Sequence, residues 1–447
     1  MITPLLLRLR SLSVFVALTL TANVNLTVKA QEDAAKTEDV IIVTGTRIPR
    51  PDAVAASPVA SFDRSEINAF RNMTIEDFIN NLSLVTPDFN STSNNPGNGT
   101  ASVNLRGLGS QRSLILLNGR RVAPVGTNSS VDVNTIPSAL LKRVEIVTGG
   151  ASTVYGSDAV AGAVNFITRD DLQGVELSGQ FDIFGAGDGE TYNASLIAGT
   201  EFSDGRGHVS AYADYVNRSP VRSDAREFSN VVIGENRLTG ELVEQGNRAH
   251  PNGFIIFPGA ILDSEFVLPI FNQDGSFRAS TDEDRYNFAP DNFLQTALER
   301  WSGGAFLAYE LTPSVELYSE LMFSRPVTSS QLAPAGVGLF ASFAIDSAFF
   351  ADSTREELRA AYDPDDDGIG DAFILKRLEE LGPRQEGRTG DYYRAVAGFQ
   401  AAVSTAWTID GYYSYSRNSR VEMLENGASR ARLLQGLLVD PATGQCE

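Results

Sequence analysis

"GVELSGQFDIFG", residues 174–185, alternates apolar and polar side chains: Val175, Leu177, Phe181 and Ile183 fall on one face of an extended chain, and Glu176, Ser178, Gln180 and Asp182 on the other. The pattern recurs near 191–202, 207–217, 299–312, 314–325, 391–408 and 411–421. Such runs exceed the ~5–6 residues of an ordinary soluble strand and suit the ~9–11 residues with which a tilted strand crosses a bilayer. The connections support this. "SDGRG", "TPS" and "ID" join the second strand to the third, the fourth to the fifth and the sixth to the seventh, whereas tens of residues separate the third from the fourth and the fifth from the sixth. Short turns alternating with long loops are the habit of outer-membrane barrels, and a secreted β-sandwich, the alternative, has no reason to keep that parity.

Trp301, Tyr309, Tyr318, Tyr392, Tyr393, Trp407, Tyr412, Tyr413 and Tyr415 fall mostly near the ends of these strands, where aromatic side chains meet lipid headgroups. Seven strands are an odd number and do not close a bacterial barrel. The sequence, ending at "DPATGQCE" in what the parity makes an external loop, is therefore expected to be a fragment.

Working toward the N-terminus, residues 1–30 carry Arg8 and Arg10, a mostly apolar stretch from Leu12 to Leu26, and Val28-Lys29-Ala30 as a small-residue cleavage site. This is the form of a secretory signal peptide. Thr19, Thr21, Asn23 and Asn25 interrupt the stretch and argue against a membrane anchor. With 36 basic and 56 acidic side chains, a net charge of −20, the chain repels nucleic acid. Two histidines, His208 and His250, argue against a zinc centre or a histidine base, and a single cysteine, Cys446, excludes an intrachain disulfide.

Residues 31–53 form a polar tether containing an isolated strand-former, "EDVIIVTGTRIPR" at 38–50, with nothing adjacent to pair with it. Residues 54–170 read as a small α/β domain. "PVASF" is a short strand. Two capped helices follow, "DRSEINAF" from Asp63 with Glu66 three residues on, and "TIEDFINNL" from Thr74 with Asp77. "SVNLRGLGSQRSLILLNGRRV" supplies two strands and an Asn118-Gly119 hairpin turn. A helix near Pro137, a strand over 143–148, a glycine-rich turn and a strand ending at Arg169 complete the domain.

"DVIIVTGTR", "VNLRGLGSQRSLILLNGRRV" and "IPSALLKRVEIVTGGASTVYGSDAVAGAVNFITR", in that order, resemble the TonB box and plug domain of TonB-dependent outer-membrane receptors. The resemblance covers residues 39–170, and the barrel pattern continues to 421. It implies a small α/β plug domain followed by antiparallel transmembrane β-barrel strands, about seven of some 22, from residue 171 to 447, with long external loops at 218–298 and 326–390. It also implies a TonB box at Asp39, Val40, Ile41, Ile42, Val43, Thr44 and Gly45 that adds as a strand to the TonB C-terminal domain, where main-chain hydrogen bonds supply the affinity. The implied function is TonB-driven uptake across the Gram-negative outer membrane of a siderophore, cobalamin-like compound, oligosaccharide or peptide, with outer-membrane lipid as the surroundings. The alternatives are a plugged outer-membrane protein with a structural or signalling role and a secreted adhesion module.

Within the plug, Arg106, Arg112, Arg120, Arg121, Lys142 and Arg143 are candidates to pair with carboxylates of the barrel wall. Gly107, Gly109, Gly119, Gly149, Gly150 and Gly156, with Asn118 and Tyr155 among them, suit turns and close backbone approach, since "GGASTVYGSDA" lacks the lysine of a phosphate loop and "RGLGSQR" the third glycine of a dinucleotide site. No residue pattern argues for catalysis or a cofactor. "DPDDDGIGD" places Asp363, Asp365, Asp367 and Asp371 around Gly368, which reads as an acidic solvated loop or, alternatively, a calcium loop lacking the usual twelfth-position glutamate. Phe254, Phe257, Phe271, Phe288 and Phe293 in the first long loop either stack on a ligand or pack the loop itself.

Overall fold

The computed structural model describes residues 59–70, 74–95, 97, 99–126, 129–149, 151–256, 269–363 and 365–438. The signal peptide, the segment Asp39–Gly45, Gly150, Phe257 and Cys446 lie outside the described residues.

Seven long strands form one antiparallel sheet in which each pairs with its neighbour in sequence. They are β6 (Gly174–Asp182), β7 (Thr191–Phe202), β8 (Gly207–Arg218), β9 (Ala297–Thr312), β10 (Val315–Leu332), β11 (Arg384–Ser404) and β12 (Trp407–Glu425). The sheet is open, with β6 and β12 at its edges. Three short turns, at 203–206, 313–314 and 405–406, lie at one end. The third differs from the expected "ID": Ile409 and Asp410 are paired strand residues opposite Ala401 and Gln400. Strands β10 and β11 also run past the apolar band, so the second long loop spans 333–383 rather than 326–390.

Period two divides this wall into two faces. Val175 and Leu177 are 74% and 78% exposed, and Leu196, Trp301, Leu307, Leu321, Tyr393, Tyr413 and Tyr415 point the same way. Soluble surfaces rarely carry an apolar expanse of this extent. Cross-strand aromatic pairs border it: Phe181–Tyr192, Tyr215–Trp301 and Phe323–Tyr393 on the loop side, Phe202–Tyr309 on the turn side. Trp301 and Tyr309 are eight residues apart on β9, or ~26 Å along the strand, which suits the ~25 Å apolar band of such barrels. Tyr318, Tyr392 and Tyr412 do not belong to these girdles. Even-numbered residues of β10, β11 and β12 face inward, and Tyr392 is buried while Tyr318 and Tyr412 flank a plug arginine.

The plug lies against the inner face. Its sheet has the order β1-β4-β5-β2-β3, formed by β1 (Val59–Asp63), β2 (Ser113–Leu117), β3 (Arg120–Arg121), β4 (Leu141–Thr148) and β5 (Gly162–Thr168), with β2 and β5 parallel and the other pairs antiparallel. Helix α1 (Arg64–Ala69) starts with a capping box of Asp63 and Glu66, and α2 (Ile75–Asn80) is capped by Thr74 on the Asp77 N–H. Asn118 and Gly119 take φ of 50° and 73°, the left-handed pair that a two-residue hairpin of this twist requires. The helix expected near Pro137 is only a 3-10 turn, Ser138–Leu140, because Leu141 already begins β4. The glycine-rich turn holds a short helix, α3 (Ser152–Tyr155). The plug's main apolar core is not closed within the plug: Ile197, Tyr212, Phe306, Met322 and Tyr392 of the wall belong to it.

Asp132 ties the middle of the plug together, one carboxylate oxygen accepting the N–H groups of Ala101 and Asn134. Burial pushes its pKa up to about 6, the two donated hydrogen bonds opposing only part of the shift. The folded state therefore binds the proton more tightly than the unfolded chain, and stability is lost as pH rises through the window from about 4 to 6, by about 3 kcal/mol. Asp132→Asn keeps the accepting oxygen, so the pH 4–6 dependence of amide exchange at residues 99–103 and 132–136 is expected to flatten. A second expectation concerns the outer face. Leu321→Arg, in the apolar band, is expected to destabilise the folded protein in lipid by about 2–4 kcal/mol, measured by unfolding in vesicles, while inward-facing Ser414→Lys changes stability little.

Candidate functional site

The functional geometry is the contact between plug and wall, together with the cavities that this contact leaves at either end. Toward the loops, the plug segment 88–95 forms an apex that the wall strands grip. The Thr296 N–H and hydroxyl both donate to Ser91 O, at 2.8 and 3.0 Å. Asn94 exchanges two hydrogen bonds with the backbone of Gln331, and Arg388 donates to Gly97 O at 3.0 Å. Deeper in, Arg300 is fully buried, paired with Asp214 at 3.2 Å and donating to Asn134 O at 2.8 Å. Toward the turns, Glu320 of β10 accepts from Arg120 at 2.8 Å and from Asn118 at 3.2 Å, and it also pairs with buried Arg394. The Arg120 guanidinium lies 4.5 Å from the Tyr318 ring centroid and 5.0 Å from that of Tyr412.

Of the plug cations expected to meet wall carboxylates, Arg120 does so. Arg106 donates to Ala161 O, Arg112 to Leu108 O, Arg121 pairs with Asp158 and Arg143 with Glu145, all inside the plug. Lys142 pairs with Asp171 in the segment that leads into the wall. Arg64, which the sequence reading passed over, reaches Glu176 of the first wall strand at 3.1 Å. Arg169, at the end of the plug, pairs with the same Glu176 at 2.7 Å, while Arg218, Arg300 and Arg388 of the wall turn the opposite way, toward plug acceptors. An arginine that faces the lumen is visible from strand parity, but its partner is set by tertiary register alone.

Gly107, Gly109, Gly149 and Gly156 take φ of 72°, 101°, 85° and 89°, and Tyr155, half-buried, precedes the last of them. Arg121 also donates to Tyr155 O, so the α3 turn is tied to the β2–β3 hairpin. Gly199 matters on the wall side. A Cβ there would sit 2.0 Å from Leu172 O, so its absence lets the segment leaving the plug lie against β7.

Two cavities flank the plug. One of about 550 Å³ lies at the apex between the plug segment 88–95 and the external loop, with Asp88, Phe89, Asn95, Ser223, Asn292 and Phe293 on its walls. The other, about 540 Å³, lies toward the turns between Arg120, Arg143 and Asn165 of the plug and Tyr318, Glu320 and Asp410 of the wall.

Outside the band the two long loops pool their strands. Segments 254–256, 269–271 and 277–279 of the first and 336–344 and 369–377 of the second form one five-stranded antiparallel sheet. Phe254 and Phe271 are buried in it, Phe288 is half-buried, and Phe293 alone of these reaches the apex cavity. Asp363, Asp365 and Asp367 bring carboxylate oxygens within 4.8 Å of one another. The two Asp363 oxygens accept the N–H groups of Asp367 and Gly368, while Asp371 accepts from Ser342 across the neighbouring strand and lies apart from that group. In the same external region a bidentate Arg278 holds the Asp284 carboxyl well below the usual range.

Residues 52–163 match the family model described as the TonB-dependent receptor plug domain. Among solved structures, the chain is similar to a mutant ferric enterobactin receptor (PfeA) of Pseudomonas aeruginosa in complex with enterobactin, at 14% identity, covering 83% of this chain and 50% of that one, with a TM-score of 0.43. It is also similar to the siderophore receptor PirA of P. aeruginosa (12% identity, 82% and 52% covered, TM-score 0.36) and to the siderophore receptor PiuA of Acinetobacter baumannii (12%, 81% and 46%, TM-score 0.40). The chain spans about half the length of these structures. Residues 52–163 are thus matched as a TonB-dependent receptor plug domain, and behind it runs a strand-to-strand meander that is apolar outside and polar where it meets the plug.

Proposed function

We propose that this chain supplies the plug and leading wall strands of a receptor that takes up an external ligand actively across the outer membrane, with TonB applying force at residues 39–45. The observation that carries this reading is the way the plug is held. It shares an apolar core with the wall and is fastened by desolvated charge contacts, the pairs Glu76–Arg218 and Arg120–Glu320 and the Arg300 hydrogen bond to Asn134 O. Removing one partner of a buried pair costs about 3–5 kcal/mol, so a stopper with several such fastenings leaves its seat rarely without external work. The outer membrane has no nucleotide pool to supply that work, and a tether pulled from the periplasm does. The apex cavity of about 550 Å³ is of a size to take a small ligand, which would touch plug and loop at once. A ligand that binds better to the seated plug or to the released one shifts the balance between them.

Deletion of Asp39–Gly45 is expected to abolish uptake while sparing binding of ligand to whole cells; equal uptake by the deletion strain overturns the reading. Induction under iron starvation, compared with induction by single carbon sources, identifies the nutrient class to use in that assay. Glu320→Gln removes the charge shared by Arg120 and Arg394. It is expected to loosen the plug by about 3–5 kcal/mol, read as increased sensitivity of the cells to a large antibiotic that the intact outer membrane excludes.

A further inference from the structure

One buried carboxylate joins the N-terminal part of the plug to the apex cavity. Glu76, on α2, is 2% exposed. Its Oε1 accepts the Ser91 N–H at 2.6 Å and lies 3.5 Å from Arg218 Nη1 of β8, and its Oε2 accepts from Asn134 Nδ2 at 3.0 Å. Ser91 belongs to the 88–95 segment that borders the apex cavity, and Asn134 O takes the Arg300 hydrogen bond from the wall. A single side chain on a six-residue helix thus holds the apex, the middle of the plug and the wall.

Its place along the chain gives this junction a direction. Residues 39–45 precede β1, and among the described residues β1 is an edge strand whose one neighbour, β4, faces it over five residue pairs. Tension applied ahead of Val59 loads β1 first. Next comes α1, which Arg64 fastens to Ala139 O, Leu141 O and Glu176, and then α2 with Glu76. Moving α2 withdraws the acceptor from the Ser91 N–H and leaves Arg218 buried without its plug carboxylate, both costly.

We propose that Glu76 is the positioning residue that couples the N-terminal segment of the plug to the ligand cavity, so that fixing residues 88–95 and withdrawing α2 oppose one another. The proposal rests on the reading of residues 39–45 as the pulled segment. Coupling of this kind is reciprocal: whatever steadies β1 and α2 must also steady the apex.

The test is a cycle on the full-length receptor with Cys446→Ser, in which Ser61→Cys and Glu145→Cys, facing residues of β1 and β4, form a reversible lock. The probe is amide hydrogen exchange of residues 87–95, with residues 113–117 and 162–168 as the check on folding. Closing the lock is expected to slow apex exchange about 5-fold or more. In the E76Q background, closing it is expected to leave apex exchange unchanged. If E76Q does not fold, E76D, which keeps the charge but retracts it, is expected to shrink the effect of the lock. An equally large effect of the lock in either variant overturns the role of Glu76. Unimpaired uptake after deletion of residues 39–45 would instead remove the reading beneath it, and leave the exchange result standing.

Discussion

A strand that crosses a bilayer must give every backbone N–H and C=O to a neighbouring strand and must turn alternate side chains toward lipid. The other features of this chain depend on that constraint. It makes the wall strands run well beyond the length of soluble strands and pair only with their sequence neighbours. It also assigns Leu196, Leu307 and Leu321 to the outside and Asp214, Arg300, Glu320 and Arg394 to the inside. Charged groups on the inner face cannot remain unpaired once water is displaced, so the plug has to be both a hydrophobic filler and a set of hydrogen-bond partners.

The plug meets both demands by being incomplete on its own. Its core takes in wall side chains, and several of its backbone carbonyls, at Ser91, Gly97 and Asn134, are satisfied by wall donors. Arginine suits that task because its planar fork reaches across the interface and bonds two acceptors together, as Arg300 does with Asp214 and Asn134 O. A domain fastened this way shares an apolar core with the wall, while its polar contacts are spread along the chain from Arg64 to Glu76 to Arg120.

The external region follows a different rule. Beyond the headgroups the loops face water, and long loops must bury their own apolar residues or remain open. Here they pool five strands from two loops around Ile255, Phe271, Phe343 and Phe350, so these loop phenylalanines serve packing. The acidic turn near Gly368 is fastened from within, Asp363 accepting two backbone N–H groups of its own turn. The polar apex cavity lies apart from this sheet, between the plug segment 88–95 and the loop residues Ser223, Asn292 and Phe293.

Local patterns in the sequence determined much of this. Alternation marked the seven wall strands, Asp63 with Glu66 and Thr74 with Asp77 marked the helix starts, and Asn118-Gly119 marked the hairpin, because each depends on residues a few positions apart. Strand ends were harder to read. Ile409-Asp410 looks like a turn until the register sets it opposite Ala401 and Gln400, and the stretch after Pro137 looks helical until Leu141 joins a sheet. What only the tertiary structure decided is which charge meets which. Glu76 and Arg218 are 142 positions apart in sequence, and Arg120 and Glu320 are 200 apart. No local preference encodes such a pair; it exists because the plug, seated in the wall at one register, brings the two charges within reach of each other.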